Sequence, residues 1–424
     1  VQPRAALPMS SVFAALRLAL CAASVPARTA PRPLRHGGED LEEAYVIGDL
    51  HADLHCAREW VRQSGLVDLE SWVWTGSPQS TLVFLGDYVD KGPEGRQVLE
   101  FVRNLTDTFP DRVLAMLGNH DFYLFLDASL GSMGASHVMG SPVRDFAYAF
   151  THPEEYLNWM PDHVRSDNET AAALGALFQA LAWVYGRRGE AQVMLTPTPG
   201  KLDLFEAAPP FREDPGLAER TRARLREWQG YMSSGLASTG LLSWLAERPV
   251  AAQVGGALIV HGGLPPALLR EVLRRPGARP PGEELAAALQ GVLRHPERVR
   301  HGDLVDEAVT YRGYHEKYSG PRACGEVDDV LALLAADTAA ELIVVGHTPG
   351  DHVRTTCRGR LVAADSSLSR FFRAHGNLYC PVRINAGPIP SAAGCAGEPP
   401  AAARCEGQAL RLRREPAEPA EGAP

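Results

Sequence analysis

Short apolar runs alternate along this chain with stretches whose apolar residues recur every three or four positions. Ala44-Tyr-Val-Ile47 is the first run, and Leu54, Ala57 and Val61 after it share one face of a helix. Thr81-Leu-Val-Phe-Leu85 follows, then Val98, Val102 and Leu105 at helical spacing. Val113-Leu-Ala-Met-Leu117, Ala257-Leu-Ile-Val260, Glu341-Leu-Ile-Val-Val345 and Leu361-Val-Ala-Ala-Asp365 continue the series. Such runs, bounded by polar turns, predict strands. Strands alternating with helices predict an α/β layered fold.

Between about 122 and 252 the rhythm changes. Helical patches at 171–184 and 217–231 are interrupted by Gly- and Pro-rich segments at Thr196–Gly200 and Pro209–Pro215. This stretch predicts a mostly helical insertion covering one side of the sheet edge. The sheet is expected to resume at Ala257, with helices over about 266–300 and 327–336. From 386 to 424 Ala, Gly, Pro and Glu dominate, which predicts a disordered tail. At the other end, an Ala-rich apolar segment starts at Met9, and residues 1–35 hold five Arg and no acid. That predicts a targeting segment over 1–40, either a secretory signal or a transit peptide. A plastid or a secretory, lumenal route follows from it; Arg17 interrupts the apolar run, and the cytoplasm stays open. The folded domain is expected over 41–385.

Composition narrows the partners. The 424 residues are 45% hydrophobic and 22% charged, enough for a large core. The net charge of −9 argues against a nucleic-acid partner, which needs a basic surface. Outside the leader, no stretch approaches the ~20 apolar residues of a membrane span. Seven Cys occur without a C-x-x-C pair, against a zinc ribbon. Cys380, Cys395 and Cys405 crowd the C-terminal end, so disulfides near the tail are open if the protein is lumenal.

The chemistry lies where the runs stop. The ends read Gly48-Asp49-Leu50-His51, Gly86-Asp87-Tyr88-Val89-Asp90, Gly118-Asn119-His120-Asp121, Val260-His261-Gly262-Gly263 and Gly346-His347-Thr348-Pro349. One Gly-Asp after a strand is an ordinary turn. Five ends carrying Asp, Asn or His are not, because the carboxyl ends of strands in layered α/β proteins meet at one edge. Oxygen and imidazole donors without thiolate suit Mn²⁺, Fe or Zn²⁺, and two such ions can activate a water and clamp a phosphoryl group.

This ordered set resembles the calcineurin-like metallophosphoesterase superfamily and its phosphoprotein phosphatase branch, with the pattern GDxHG, GDxVDRG, GNHE, HGG and a late His. Leu258-Ile-Val-His-Gly-Gly-Leu264, Val309-Thr-Tyr-Arg-Gly-Tyr314 and Val344-Val-Gly-His-Thr-Pro349 are most similar to the Shewanella-like protein phosphatases. The likeness spans most of 44–370. It implies a four-layer αββα sandwich with two central mixed sheets. It also implies a dinuclear metal-dependent phosphatase that hydrolyses phosphate monoesters, on phosphoserine, phosphothreonine or phosphotyrosine in protein, by direct attack of a metal-bridging water or hydroxide. Asp49 and His51 would hold the first metal, Asp87 would bridge, and Asn119, His261 and His347 would hold the second, with Asn119 also near the phosphate. His120 would be the general acid, oriented by Asp90, and Lys91 and Arg312 would contact the phosphate. The oligomeric state stays open.

Three positions depart from the pattern: Ala52 replaces a Gly, Lys91 an Arg and Asp121 a Glu. Lys91 cannot make the planar two-pronged contact of Arg. Asp121 makes Leu117-Gly-Asn-His-Asp also resemble the diadenosine tetraphosphate hydrolases, so dinucleoside polyphosphates or nucleotides are the alternative substrates. His55, His301, His315 and His352 lack strand-end placement and read as surface or packing residues.

Overall fold

The structure is a computed structural model that describes residues 35–36, 41–130, 151–187, 208–274, 279–336, 338–373, 405–406 and 408–413. The leader up to residue 34, the segment Thr196–Gly200, Cys380 and Cys395 lie outside these residues.

Two sheets carry the molecule. One has six strands: β1 (Arg35–His36), β7 (Ala251–Val254), β8 (Ala257–Val260), β9 (Leu342–Val345), β11 (Leu361–Ala363) and β10 (Arg354–Thr356), in that spatial order. The other has four: β12 (Leu410–Arg413), β2 (Glu43–Ile47), β5 (Ser80–Phe84) and β6 (Val113–Ala115). A separate ribbon pairs β3 (Val67–Asp68) with β4 (Val73–Trp74). The centres of both main sheets are parallel, β2–β5–β6 in one and β8–β9–β11 in the other. Parallel neighbours end at the same edge, so all six of these strands release the chain beside one another.

Alternation assigns the two faces of each strand. Ala44, Val46, Val83, Leu114, Ile259, Val344 and Val362 form one cluster, between the sheets. Tyr45, Ile47, Leu82, Phe84, Leu258, Val260, Ile343 and Val345 point the other way. The four-stranded sheet meets the helices Leu54–Ser64 and Gly95–Thr108 on this side, with Ala57, Val61, Val98 and Val102 buried, and the six-stranded sheet meets the helix Ala323–Leu334, with Val327, Val330 and Leu334 buried. Helix, sheet, sheet, helix is the resulting order of layers: an α/β sandwich of four layers around two mixed sheets. The central strands are buried on both faces, which is why their sequences are nearly all apolar.

Among the described residues between β6 and β7 the elements are helical: Asn119–Leu130, Pro153–Asn158, Asp162–Arg165, Asn168–Arg187, Pro209–Glu213, Pro215–Ser238 and Leu241–Ala246. Three expectations need correction. The sheet resumes at Ala251 rather than Ala257, because Gly255-Gly256 closes a hairpin between β7 and β8 and Gly255 takes φ +56. Pro209–Pro215 does not interrupt helix but starts it: Pro209 and Pro215 each open one, and Asp214 caps the second by accepting the Leu217 amide at 3.0 Å. Within the tail expected to be disordered, Leu410–Arg413 is a strand paired antiparallel with β2. Leu410 and Leu412 pack on the cluster between the sheets, and Arg411 pairs with Glu43 at 2.7 Å. Nearby, Cys405 is disulfide-bonded to Cys56, and a second disulfide joins Cys324 and Cys357. Composition hid that strand because its partner lies at the opposite end of the chain.

Candidate metal centre and acid

The turns after β2 and β5 are zipped together by backbone. Leu50 and His51 amides donate to the Asp87 carbonyl at 3.1 and 2.8 Å, and the Ala52 amide donates to Tyr88 at 2.9 Å. These turns are tight enough that His51, Ala52, Asp87, Asp90 and Lys91 all take positive φ, from 43° to 68°, and His347 does so at 61°. Such backbone costs a non-glycine residue about 1–3 kcal/mol. Ala52, where the related pattern has Gly, therefore carries its Cβ in a left-handed conformation while fully buried. The turns after β5 and β6 meet closely: a Cβ at Gly86 would lie 2.3 Å from the Gly118 nitrogen. That approach, together with a φ of +105, requires glycine at position 86.

Asp121 holds this junction. Its carboxylate accepts the amides of Asp87 at 2.7 Å, Tyr88 at 2.8 Å and Gly118 at 3.0 Å. Burial, then the Asp87 charge, pushes it up to about 7. The His120 amide in turn donates to Asp87 Oδ1 at 3.0 Å.

All six expected metal ligands come to this edge. His347 and Asp49, nearly the full length of the domain apart in sequence, touch: the His347 amide lies 3.2 Å from Asp49 Oδ2. Asn119 Oδ1 faces His347 Nδ1 at 2.8 Å and His261 Nε2 at 3.2 Å. His261 Nε2 is 3.4 Å from Asp87 Oδ1, and its Nδ1 donates to the Leu85 carbonyl at 2.8 Å. On the other side, His51 Nε2 is 3.8 Å from Asp87 Oδ2 and 4.0 Å from Asp49 Oδ2. Asp87, His261 and His347 offer three donor atoms within 4.8 Å of one another, and so do His51, Asp87 and His120. Asp87 is common to both groups.

The charge balance of these residues calls for cations. Burial, then Asp365, raises Asp49 well above the carboxylate range. Burial alone would raise Asp87 too, but His261, His120 and His51 outweigh it and hold it well down. Burial lowers His261, yet Asp87 and Asp49 bring it up to about 9. Burial, followed by nearby positive groups, drives His51 and His347 well below the usual imidazole value. Lys91 is itself a stand-in cation. Its ammonium is buried 2.6 Å from His51 Nε2, and although burial lowers its pKa, Asp87, Asp49, Asp365 and Asp90 all oppose that. A pocket of oxygens and ring nitrogens that already seats an ammonium fits hard or borderline metal ions. Lys91 thus reaches in among the expected ligands.

His120 stands beside the ligands. Its Nδ1 is 2.6 Å from Asp90 Oδ2 and its Nε2 faces Asp87 Oδ2 at 3.9 Å. Arg312 reaches the rim, donating to Thr348 Oγ1 at 3.2 Å next to His347. The remaining histidines are scattered: His301 meets Asp306 at 3.0 Å, and His315 is lowered to about 4 by burial and by Arg354 and Arg312.

Two contributors escaped the sequence reading. Asp365 follows β11 and shares a hydrogen bond with Asp49, and burial is the first cause of its raised pKa. The same strand-end rule would have found it, but Ala363-Ala364 precedes it instead of Gly. Asp53 is fully buried and paired with Arg370, whose Nη2 is 2.7 Å away and whose amide donates to Asp53 Oδ2 at 2.8 Å. That pair ties the loop after β11 to the helix after β2.

Known proteins are similar to this chain. The model of the calcineurin-like phosphoesterase family matches residues 44–351. Shewanella-like protein phosphatase 2 of Arabidopsis thaliana is 23% identical over 339 residues, 78% of this chain and 73% of that protein. A symmetrical bis(5'-nucleosyl)-tetraphosphatase of Aromatoleum aromaticum is 33% identical over 107 residues, 24% of this chain and 34% of that one. Among solved structures, the cold-active protein-tyrosine phosphatase of a psychrophilic Shewanella species aligns over 79% of this chain and 75% of its own, with 16% identity and a TM-score of 0.44. The family match takes in every strand end that supplies the site except that of β11, and the chain therefore belongs to the calcineurin-like phosphoesterases, whose members bind two metal ions and hydrolyse phosphoesters.

Proposed function

We propose that this protein is a phosphomonoesterase acting on phosphorylated protein, with Asp49, His51, Asp87, Asn119, His261 and His347 holding two ions of the manganese, iron or zinc type. The observation that carries this reading is the meeting of five strand ends on Asp87, with the Asp90–His120 pair in the same small volume. When bound, two such ions make a water nucleophilic near neutral pH and neutralise the phosphoryl oxygens.

The chain's own residues supply the rest. Asp90 accepts the Nδ1 proton of His120 and leaves Nε2 turned toward the ligands; His120 serves as the acid in its imidazolium form, with a second proton on Nε2. As the new bond from water oxygen to phosphorus forms, the ester P–O bond breaks and its electron pair stays on the ester oxygen. His120 Nε2 gives that oxygen its proton, and the proton from water goes to solvent. Arg312 clamps a phosphoryl oxygen at the rim, Lys91 adds a second cation, and Asn119 presents its amide to the phosphate.

Phosphoprotein is preferred over dinucleotides because the similarity to the Shewanella-like relative runs along most of both chains, whereas the tetraphosphatase match is local. The test is a panel of phosphoserine, phosphothreonine and phosphotyrosine peptides beside diadenosine tetraphosphate, with Mn²⁺ and with chelator. Phosphopeptides should turn over faster, and chelator should stop both reactions. Faster cleavage of the dinucleotide would reverse the substrate choice.

An oxidising compartment, reached by a secretory or other lumenal route, suits the two disulfides. Alkylation of the native protein without reductant checks this. Labelled Cys56 would count against it.

A further inference from the structure

The Asp90 carboxylate has two oxygens, and each has a different partner. Oδ2 meets His120 Nδ1 at 2.6 Å, and Oδ1 accepts the Thr151 hydroxyl at 2.7 Å. Thr151 is buried and comes from the segment leading into the helical turn Pro153–Asn158, far in sequence from the loop that carries Asp90. The terminal torsion of an aspartate is soft and broad. A carboxylate held at one oxygen can turn about it and carry its ring partner along. Two donors, one on each oxygen, fix the plane of the group.

The same segment is anchored independently. Glu155 accepts the amides of Gly95 and Arg96 at 2.7 and 2.9 Å, at the start of the helix that follows the Asp90 loop, and also Trp159 Nε1 at 2.9 Å. Thr151 therefore approaches Asp90 from a fixed support.

We propose that Thr151 is a positioning residue for the acid: its hydroxyl fixes the Asp90 plane, and through it the direction in which His120 Nε2 offers its proton. The segment that carries Thr151 thereby takes part in the chemistry of the site, through Asp90. The inference rests on the phosphatase reading above. It assigns the segment a share in leaving-group departure, and none in substrate capture or metal binding.

The experiment compares Thr151→Val, Thr151→Ala and Thr151→Ser with the wild type on a series of phosphate monoesters, from 4-nitrophenyl to phenyl to alkyl phosphate. An ester with a poor leaving group depends most on the acid. Thr151→Val removes the hydroxyl at constant shape. Its kcat should fall about tenfold on phenyl phosphate, the scale of one hydrogen bond to a charged group, and fall less on 4-nitrophenyl phosphate. KM and metal content should be unchanged, and Thr151→Ser should restore the phenyl phosphate rate. Thr151→Ala reads the same loss if the valine variant does not fold.

Equal losses across the series, or full loss that serine does not rescue, would mean a merely structural threonine and overturn the proposal. No loss on any ester would do the same. A wild type inactive on every ester would instead sink the phosphatase reading itself, so the two failures are told apart.

Discussion

The two sheets bring unequal loads to their shared edge. Each strand of the four-stranded sheet that reaches the site delivers two or more polar side chains from one turn: Asp49 with His51, Asp87 with Asp90 and Lys91, Asn119 with His120. The six-stranded sheet delivers one per strand, His261, His347 and Asp365. The left-handed residues follow that division, with five in the first set of turns and only His347 and Ser367 beside the second. The turn after β6 is the exception in the first set, because Asn119 and His120 already lie in the first turn of a helix. The orientation of the second set is also borrowed: the His261 ring is fixed by the Leu85 carbonyl at 2.8 Å, from the end of β5.

Asp87 is where the comparison can be broken outright. It belongs to both donor groups, so Asp87→Asn should lower aryl phosphate hydrolysis by about 10³-fold or more and strip the protein of metal. Steady-state kinetics with elemental analysis measures both. Near-normal activity would mean that the sheets do not share a centre.

The brace between the two edges comes next. Arg370→Ala leaves the Asp53 carboxylate buried and unpaired and should cost about 3–5 kcal/mol in urea unfolding. A cost under about 1 kcal/mol would place the join elsewhere.

Glu155→Gln tests support confined to the four-stranded side. An amide cannot accept at both ends as the carboxylate does toward Gly95, Arg96 and Trp159, and a loss of about 1–3 kcal/mol is expected.

The smallest effect is at Ala52. Gly relieves the positive φ but adds unfolded-state entropy, so Ala52→Gly should move stability by less than about 1 kcal/mol. A large destabilisation would show that the Cβ packs usefully, and that strain is not what distinguishes these turns.

The strands and their meeting point were legible because both depend on local signals. Strands buried on both faces are apolar throughout, and Gly beside Asp, Asn or His marks where they stop. Asp365 lacked that Gly and stayed hidden. Residues that act across long distances left no local mark: nothing in the sequence joins Asp53 to Arg370 or Thr151 to Asp90. β12 failed for the same reason, since an Ala- and Gly-rich neighbourhood says nothing about the edge strand waiting for it.

That terminal strand bears on how the molecule can be trimmed. A fragment cut back to residue 351, the limit of the family match, would omit β11 and Asp365. It would also leave one flank of β2 without its hydrogen-bonding neighbour and turn Cys56 into a lone thiol. An open flank of that kind recruits strands from other molecules, so the shortened protein should clump, and the remedy is to restore the last strand rather than to add solubilising mutations.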